Sequence, residues 1–179
     1  MDNALSMAFP RLDANLRRTA IANVPTPVTT HKVDLPSGPR YVIVKHDEVT
    51  SDVYGGNKVR KLEYLLRRAS DRDAQRIATF GAVGSNHALA TAIHATRLGF
   101  DCTCFLSHQK ATPNIARTLN MHRELGTELV RWGRSIDSLT LFRQYLHRDK
   151  SWVIPLGGTC WLGAVGFVNA GLELAEQIR

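Results

Sequence analysis

Short apolar runs alternate along most of this chain with segments in which apolar residues recur at helical spacing. The runs are rich in β-branched residues and predict strands at 41–45, 76–80, 102–106, 128–131 and 152–155. The periodic segments predict helices from Val59 onward and over residues 86–98, 113–125, 135–147 and 163–179. Alternation with short connections implies right-handed crossovers, so we predict an α/β fold whose mostly parallel sheet carries helices on both faces.

The ends of these predicted helices carry residues that usually terminate helices. Gly99 and Gly126 each follow a helix at the position of a left-handed C-terminal cap, and Thr112 precedes a helix as an N-cap with proline in the first turn. Between residues 25 and 39 the pattern is interrupted by four prolines. We therefore expect an irregular segment up to about Arg40 that lies across a larger body.

The composition is that of an ordinary globular protein. The 179 residues are 44% hydrophobic and 22% charged, which suits one domain, or one domain and part of another, with a real core. No run of about 18 apolar residues is present, and Asp2 and Pro10 do not suit a secretory signal. The three cysteines form neither a CxxC pair nor an even framework, so we expect a cytoplasmic protein without a membrane segment or a metal site.

The formal net charge of +7 does not by itself predict nucleic-acid binding. The arginines are scattered through amphipathic segments such as 62–72 and 117–131 and are not gathered in one stripe with interleaved aromatic residues. A positive surface of this kind favours anionic small molecules, including a phosphate-bearing cofactor or an amino-acid carboxylate.

Lys58 is the first candidate for covalent chemistry. It follows the turn Gly55-Gly56-Asn57 and precedes an amphipathic helix, which fixes its base and lets its tip reach into a cleft. An amine that attacks an aldehyde carbon must be deprotonated, and partial burial and the neighbouring cations Arg60 and Lys61 favour that state. An exposed lysine at the start of a helix would explain the same residues.

The second candidate region follows the predicted strand at 76–80. Its loop, Gly81-Ala82-Val83-Gly84, opens a helix with Ser85-Asn86-His87. Ser85 is a natural N-cap, and the free amides behind it suit a carboxylate or phosphate. A cap with no other role would account for the serine, but two glycines indicate a backbone that comes close to a ligand. The region lacks the GxSxG elbow of a hydrolase, and His94 fits a packed or surface histidine better than a ligand.

A third loop, Gly157-Gly158-Thr159, follows the last predicted strand. Backbone amides in such a loop suit contact with an anion, although glycine-rich loops are common. The GxGxxG and GxxxxGK[ST] patterns of nucleotide-binding proteins are absent. Ligands of parallel α/β sheets bind where strand carboxyl ends meet helix N-termini, so this loop and the Ser85 loop are candidate parts of a binding site.

Three ordered segments together resemble one enzyme family. They are DVYGGNKVRKLEYLL at 52–66, TFGAVGSNHALATAIHATRLG at 79–99 and IPLGGTCWLGAVGFVNAGLELAEQI at 154–178. The opening FPRLD and TPV look similar as well. The resemblance is to the 1-aminocyclopropane-1-carboxylate deaminases and D-cysteine desulfhydrases. This family belongs to the tryptophan-synthase-β-like enzymes, also called fold type II, whose cofactor is pyridoxal 5'-phosphate.

The resemblance implies a role for each candidate residue. Lys58 would bind the cofactor covalently and later move protons at the substrate α-carbon, with Ser85 placed to assist. Asn86 would hydrogen-bond the 3-oxygen of the pyridine ring, and Lys61 would lie near the cofactor phosphate. The residues implied as substrate-binding are Ser85, Asn86, His87, Gly157 and Gly158.

The resemblance further implies a lyase or deaminase that eliminates sulfide or ammonia from a small amino acid. The histidine at position 87 makes this segment resemble the desulfhydrases more than the deaminases. The next residues, Ala88-Leu89-Ala90, lack the arginine and glutamine that often follow in the family. Two alternatives stay open. One is an amino-acid racemase or ammonia-lyase of the same fold, and the other is a non-catalytic module that keeps the fold.

An incomplete cofactor domain is also implied. Residues 1–60 would begin the larger cofactor domain, 61–157 would form the smaller α/β domain, and 158–179 would return into the larger one. The strand and the Ser/Thr-Gly-Gly-Thr loop that cup the phosphate in this family are not in the sequence. We therefore expect a truncated chain with weak or absent activity, apolar surface exposed near residues 41–45 and the last helix, and a homodimer.

Overall fold

The computed structural model describes residues 4–13, 15–133 and 136–179. Short 3₁₀ turns occupy Asp47–Val49 and Leu156–Gly158. The other elements in these ranges follow in the order α1 (Ala4–Ala8), α2 (Pro10–Asp13), β1 (Val28–Leu35), β2 (Gly38–Lys45), α3 (Asn57–Ser70), β3 (Arg76–Ala82), α4 (Asn86–Arg97), β4 (Asp101–Ser107), α5 (Pro113–Glu124), β5 (Glu128–Trp132), α6 (Ile136–Leu146), β6 (Ser151–Val153) and α7 (Trp161–Gln177).

The central sheet is parallel and has the strand order β5-β4-β3-β6. It confirms the predicted α/β class. The chain builds outward from β3 through β4 to β5 and then returns to the free side of β3 with β6. The strand order therefore reverses between β3 and β6, and this switch point is where open α/β sheets place their ligands.

Helices cover both faces of this sheet. On one face α3, α4 and α7 enclose the larger core, in which Leu62 and Ile77 are fully buried. On the other face α6 packs Tyr145 edge to face on Phe105, with ring centroids 5.7 Å apart. Cys102 and Cys104 of β4 are buried free thiols.

The N-terminal part differs from the irregular segment expected before Arg40. Residues 28–45 form an antiparallel hairpin, β1 with β2, in which Val28 pairs with Lys45 and Leu35 with Gly38. Pro36 lies in the two-residue turn, so it closes the hairpin instead of interrupting a strand. The hairpin leaves apolar side chains in solvent as expected: Tyr41 is 73% exposed and Ile43 47% exposed.

The predicted helix ends are confirmed. The Ser85 hydroxyl accepts the Ala88 N–H at the start of α4, and the Thr112 hydroxyl accepts the Ile115 N–H at the start of α5. Gly99 and Gly126 have φ angles of +85° and +68°, the left-handed conformation of a C-terminal cap. The helix predicted from residue 135 is described from Ile136, because residue 135 lies outside the described ranges.

Helix α7 crosses α3 with almost no side chain between the two backbones. A Cβ atom on Gly166 would overlap the backbone carbonyl of Arg60, and one on Gly163 would overlap the carbonyl of Gly158. Glycine is therefore required at both positions if the helices are to approach this closely. The contact holds the loop at 157–158 against the start of α3, which carries Lys58 and Lys61.

Within the described ranges, no helix is both long and apolar enough to cross a membrane. The same residues contain no group of three or more His, Cys, Asp or Glu side chains gathered closely enough to hold a metal ion.

Candidate active site

A tightly built turn presents Lys58 at the start of α3. The N-cap residue Gly56 has a φ of 122°, and a Cβ atom on Gly55 would overlap the backbone carbonyl of Glu48, so neither glycine can be replaced without strain. The hydroxyl of Thr50 lies 2.9 Å from both the N–H and the carbonyl oxygen of Gly56. These contacts fix the base of the half-buried Lys58, as the sequence predicted.

Lys61 lies one helical turn further on, where it anchors the third glycine loop. Its ammonium donates a hydrogen bond to the carbonyl of Gly157 at 3.1 Å and stands 5.0 Å from the ring centroid of Phe167 on α7. Burial lowers the pKa of Lys61, and the charge of Lys58 lowers it further. The two lysines therefore lie close together, and Gly157 and Gly158 lie beside them.

The ring of His87 packs against the sheet. Its ring is 4% exposed, and its Nε2 atom lies 3.1 Å from the hydroxyl of Thr79 on β3. Burial, followed by the charges of Lys58 and Lys61, lowers the pKa of His87 to about 4. At neutral pH the ring is thus uncharged and turned toward the sheet, so it lacks the charge that would best hold a substrate carboxylate.

The buried neutral state of His87 predicts a pH dependence of stability. The pKa is about 4 in the folded chain and 6.5 in the reference state, so between these values the unfolded chain binds the extra proton. Stability is therefore lost as the pH falls from 7 to 4, by up to roughly 3 kcal/mol from this group. Urea unfolding at both pH values should show a smaller loss for His87→Gln, whereas the exposed control His31→Gln should behave as wild type. Equal losses in all three proteins would contradict the neutral assignment.

Ser85 and Asn86 form the first turn of α4. The Ser85 hydroxyl accepts the Ala88 N–H at 3.2 Å and keeps its own proton to donate. The side-chain oxygen of Asn86 accepts a hydrogen bond from the Tyr54 hydroxyl at 3.3 Å, which leaves its amide N–H groups as donors. The backbone amides of Asn86 and His87 precede the first hydrogen bond of the helix, so they are available to an anion.

Two residues of this site were missed by the sequence analysis. Tyr54 stands immediately before the Gly-Gly turn, in the segment that carries the family resemblance. Its backbone carbonyl lies 3.1 Å from Nε2 of His94. This contact confirms His94 as a packed histidine. Thr79, the partner of His87, gave no signal, because a buried threonine in a strand looks like ordinary packing.

Arg60 is not the free cation that was expected beside Lys58. Its fully buried guanidinium pairs with Glu173 of α7 at 2.6 Å and with Asp47 at 2.7 Å. Burial by itself would lower the pKa of Arg60, but the two carboxylates outweigh it and raise the pKa. Arg60 therefore ties α7 to α3 and leaves Lys61 as the cation that faces Lys58.

Comparisons with known proteins agree with this geometry. The chain is 37% identical over 171 residues to nocardicin C-9' epimerase of Nocardia uniformis subsp. tsuyamanensis, covering 89% of this chain and 52% of that protein. It is 33% identical over 180 residues to D-cysteine desulfhydrase of Salmonella paratyphi A, covering 94% and 52%. A solved structure of a 1-aminocyclopropane-1-carboxylate (ACC) deaminase homologue superposes with a TM-score of 0.75 at 32% identity, covering 99% and 55%.

These relatives confirm the resemblance seen in the sequence. The chain spans about half the length of the curated relatives it matches. The profile of the family described as "Pyridoxal-phosphate dependent enzyme" matches residues 20–179. Because this match covers most of the sequence, the chain belongs to the family of pyridoxal-phosphate dependent enzymes.

Proposed function

We propose that this chain carries the reactive lysine and the carboxylate-binding turn of a pyridoxal-phosphate lyase or deaminase. The substrate is a small amino acid, and the reaction eliminates sulfide or ammonia. One observation carries the proposal: at the sheet's switch point the half-buried Lys58 stands one turn before Lys61 on α3, Lys61 and His87 both lie next to Gly158, and Ser85 and Asn86 open α4. The likeness to D-cysteine desulfhydrase and to a putative ACC deaminase of Pyrococcus furiosus supports it.

The groups at this site fit pyridoxal phosphate chemically. A primary amine suits its aldehyde, a side-chain amide suits its 3-oxygen, and a second lysine suits its phosphate. Lys58, Asn86 and Lys61 would supply these groups in that order. Tyr54 supports the assignment of Asn86, because its hydroxyl occupies the amide oxygen and leaves the amide N–H groups to donate.

Bound pyridoxal phosphate supplies an electron sink for the bond that breaks at the substrate α-carbon. Lys58 holds the cofactor and then takes or returns the proton at that carbon, and the Ser85 hydroxyl assists the proton transfer. The Ser85 hydroxyl and the backbone amides of Asn86 and His87 hold the substrate carboxylate. The neutral ring of His87 supports this turn from behind, and Gly157 and Gly158 line the substrate side, with Gly157 fixed by Lys61.

The Lys58→Ala substitution tests the covalent assignment directly. We expect pyridoxal phosphate added to the 179-residue chain to give a near-visible absorption band. The band should disappear in the variant, because the neighbouring Lys61 is held by the carbonyl of Gly157. Borohydride reduction followed by peptide mass spectrometry should locate the adduct on Lys58. Lys110→Ala, which removes an exposed lysine, is the control and should keep the band. A band that survives in Lys58→Ala would refute the assignment.

A racemase or epimerase is the second candidate, favoured by the likeness to nocardicin C-9' epimerase. Epimerisation and elimination from cysteine or serine both begin with loss of the α-proton, so the site residues do not separate these reactions. Product analysis separates the two reactions after incubation with D-cysteine, D-serine and 1-aminocyclopropane-1-carboxylate. Released sulfide or ammonia supports the lyase, and inverted amino acid supports the epimerase. A non-catalytic module is disfavoured by the presence of Lys58 and Ser85 in their expected places.

We also propose the domain division given above, with residues 1–60 and 158–179 in the larger domain and 61–157 in the smaller one. Its support is the contact of Glu173 with Lys45 at 2.6 Å and with the backbone N–H of Thr26 at 2.8 Å, which joins α7 to the N-terminal segment. The exposed apolar hairpin supports a homodimer, testable by analytical ultracentrifugation. The free cysteines are consistent with a cytoplasmic location.

A further inference from the structure

A polar cleft of about 430 Å³ opens next to the Ser85 turn, between the first turns of α4 and α5. Tyr54 and Asn86 both line it, and Asn86 also belongs to the turn that we assign to the cofactor and the substrate carboxylate, so the cleft borders that site. Its volume is that of a pocket for a small organic group. Nothing in the proposed reaction so far uses this space.

The walls of the cleft are fixed by the loop that precedes α4. The side-chain oxygen of Gln109 accepts the Gly84 N–H at 3.1 Å, which turns the Gln109 amide N–H groups toward other partners. A Cβ atom on Gly84 would lie 3.0 Å from Cγ1 of Ile115 and 3.2 Å from the Gln109 oxygen. Glycine at position 84 therefore lets the loop pack directly on this wall.

The charge of the cleft is set by Arg117, on the second turn of α5. Of the described residues that line the cleft, Arg117 alone carries a formal charge, and the others include Asn114 and Thr118. None of the acidic side chains in the described ranges forms an ion pair with Arg117. Tyr54 lines the same cleft; burial raises its pKa, and the charge of Arg117 partly opposes this.

We propose that this cleft receives the side chain of the amino-acid substrate and that Arg117 selects a side chain that ends in a carboxylate. Such a substrate has no sulfur to release, so the inference concerns the ammonia-releasing and epimerising forms of the proposed function. The inference rests on the proposed function, because the α-carboxylate must be held at the Ser85 turn for the side chain to point into the cleft. A guanidinium recognises a carboxylate by paired N–H donors, and the amides of Gln109 and Asn114 can add further hydrogen bonds.

The test compares acidic amino acids with their amides, which have the same shape but no side-chain charge. Isothermal titration calorimetry measures the binding of both enantiomers of aspartate, asparagine, glutamate and glutamine to the chain. Two samples are compared: the chain alone, and the chain loaded with the cofactor and freed of unbound cofactor. We expect an acid to bind about tenfold more tightly than its amide, the value of one charge-assisted hydrogen bond. Arg117→Gln should erase this difference. Arg123→Gln, an exposed arginine on the same helix away from the cleft, should keep it.

Four outcomes overturn the proposal: equal binding of acids and amides by wild type, a preference that survives Arg117→Gln, equal weakening of acids and amides by Arg117→Gln, and no binding of either class. Equal weakening would place Arg117 on the shared α-carboxylate. The Lys58 adduct assay needs no amino acid, so it continues to report on the proposed function when the cleft fails this test.

Discussion

Gly166→Ala should lower the free energy of unfolding by about 3 kcal/mol, the cost of forcing a methyl group into a closed contact. The added Cβ would overlap the carbonyl of Arg60 and lie 2.9 Å from the amide nitrogen of Lys61, and both of these are backbone atoms that cannot rotate away. Helix α7 would have to move off α3. The loop at 157–158 would move with it, so the variant should also form less of the Lys58 adduct.

Gly171→Ala is the matched control for this experiment. It lies in the same helix, but a Cβ there meets no atom within 4 Å. Because alanine favours a helix interior over glycine, this variant should be more stable than wild type by about 0.5–1 kcal/mol. Urea unfolding followed by circular dichroism measures both variants. If the two substitutions change stability in the same direction, the close approach of α7 to α3 is wrong.

Arg60→Met should cost about 3–5 kcal/mol, because it leaves the carboxylate of Glu173 buried without its strongest partner. The Arg60 guanidinium is completely buried, and Glu173 is 6% exposed. Burial raises the pKa of Glu173, but the hydrogen bonds from Arg60 and Lys45 outweigh it and lower the pKa. In wild type this group therefore stabilises the fold above the pKa of an unfolded glutamate, and its contribution is lost as the pH falls.

The pH dependence distinguishes a buried charge that has lost its strongest partner from a packing defect. In Arg60→Met the cost should be smaller at pH 4 than at pH 7, because protonation of Glu173 removes the buried charge. Arg148→Met is the matched control, since Arg148 makes a comparable pair with Glu128 at 2.7 Å at the surface, where such pairs contribute below about 1 kcal/mol. A cost for Arg60→Met that does not change with pH would mean that the lost volume, and not the charge, causes it.

The central sheet and its helices could be predicted because each element carries its own local signal. β-branched runs mark the strands, helical spacing marks the helices, and Gly99 and Thr112 mark their ends. The hairpin could not be predicted in the same way. Pro36 and Pro39 suggested an interruption, and only the pairing of β1 with β2 shows that Pro36 lies in the turn and Pro39 within β2.

The parts of the candidate site that lie in short sequence motifs could be predicted. The parts that depend on which side chains the fold buries could not. Lys58 and Ser85 lie in short motifs whose geometry is set by neighbouring residues. The ring of His87 is neutral because the fold buries it against Thr79 and near two lysines, which no local pattern encodes. Arg60 likewise looked like a free cation, since Glu173, its partner, lies 113 residues further along the chain.

The strand order also determines when the site can assemble during synthesis. Arg76 of β3 pairs with Asp101 on one side and with Ser151 on the other, so one edge of the central strand stays open until the last strand of the sheet has left the ribosome. Until then Gly157 cannot reach Lys61, because Gly157 follows this strand in the chain. The nascent chain thus carries an unpaired strand edge from the emergence of Arg76 until that of Ser151, and the contact between Gly157 and Lys61 can form only after this edge is covered.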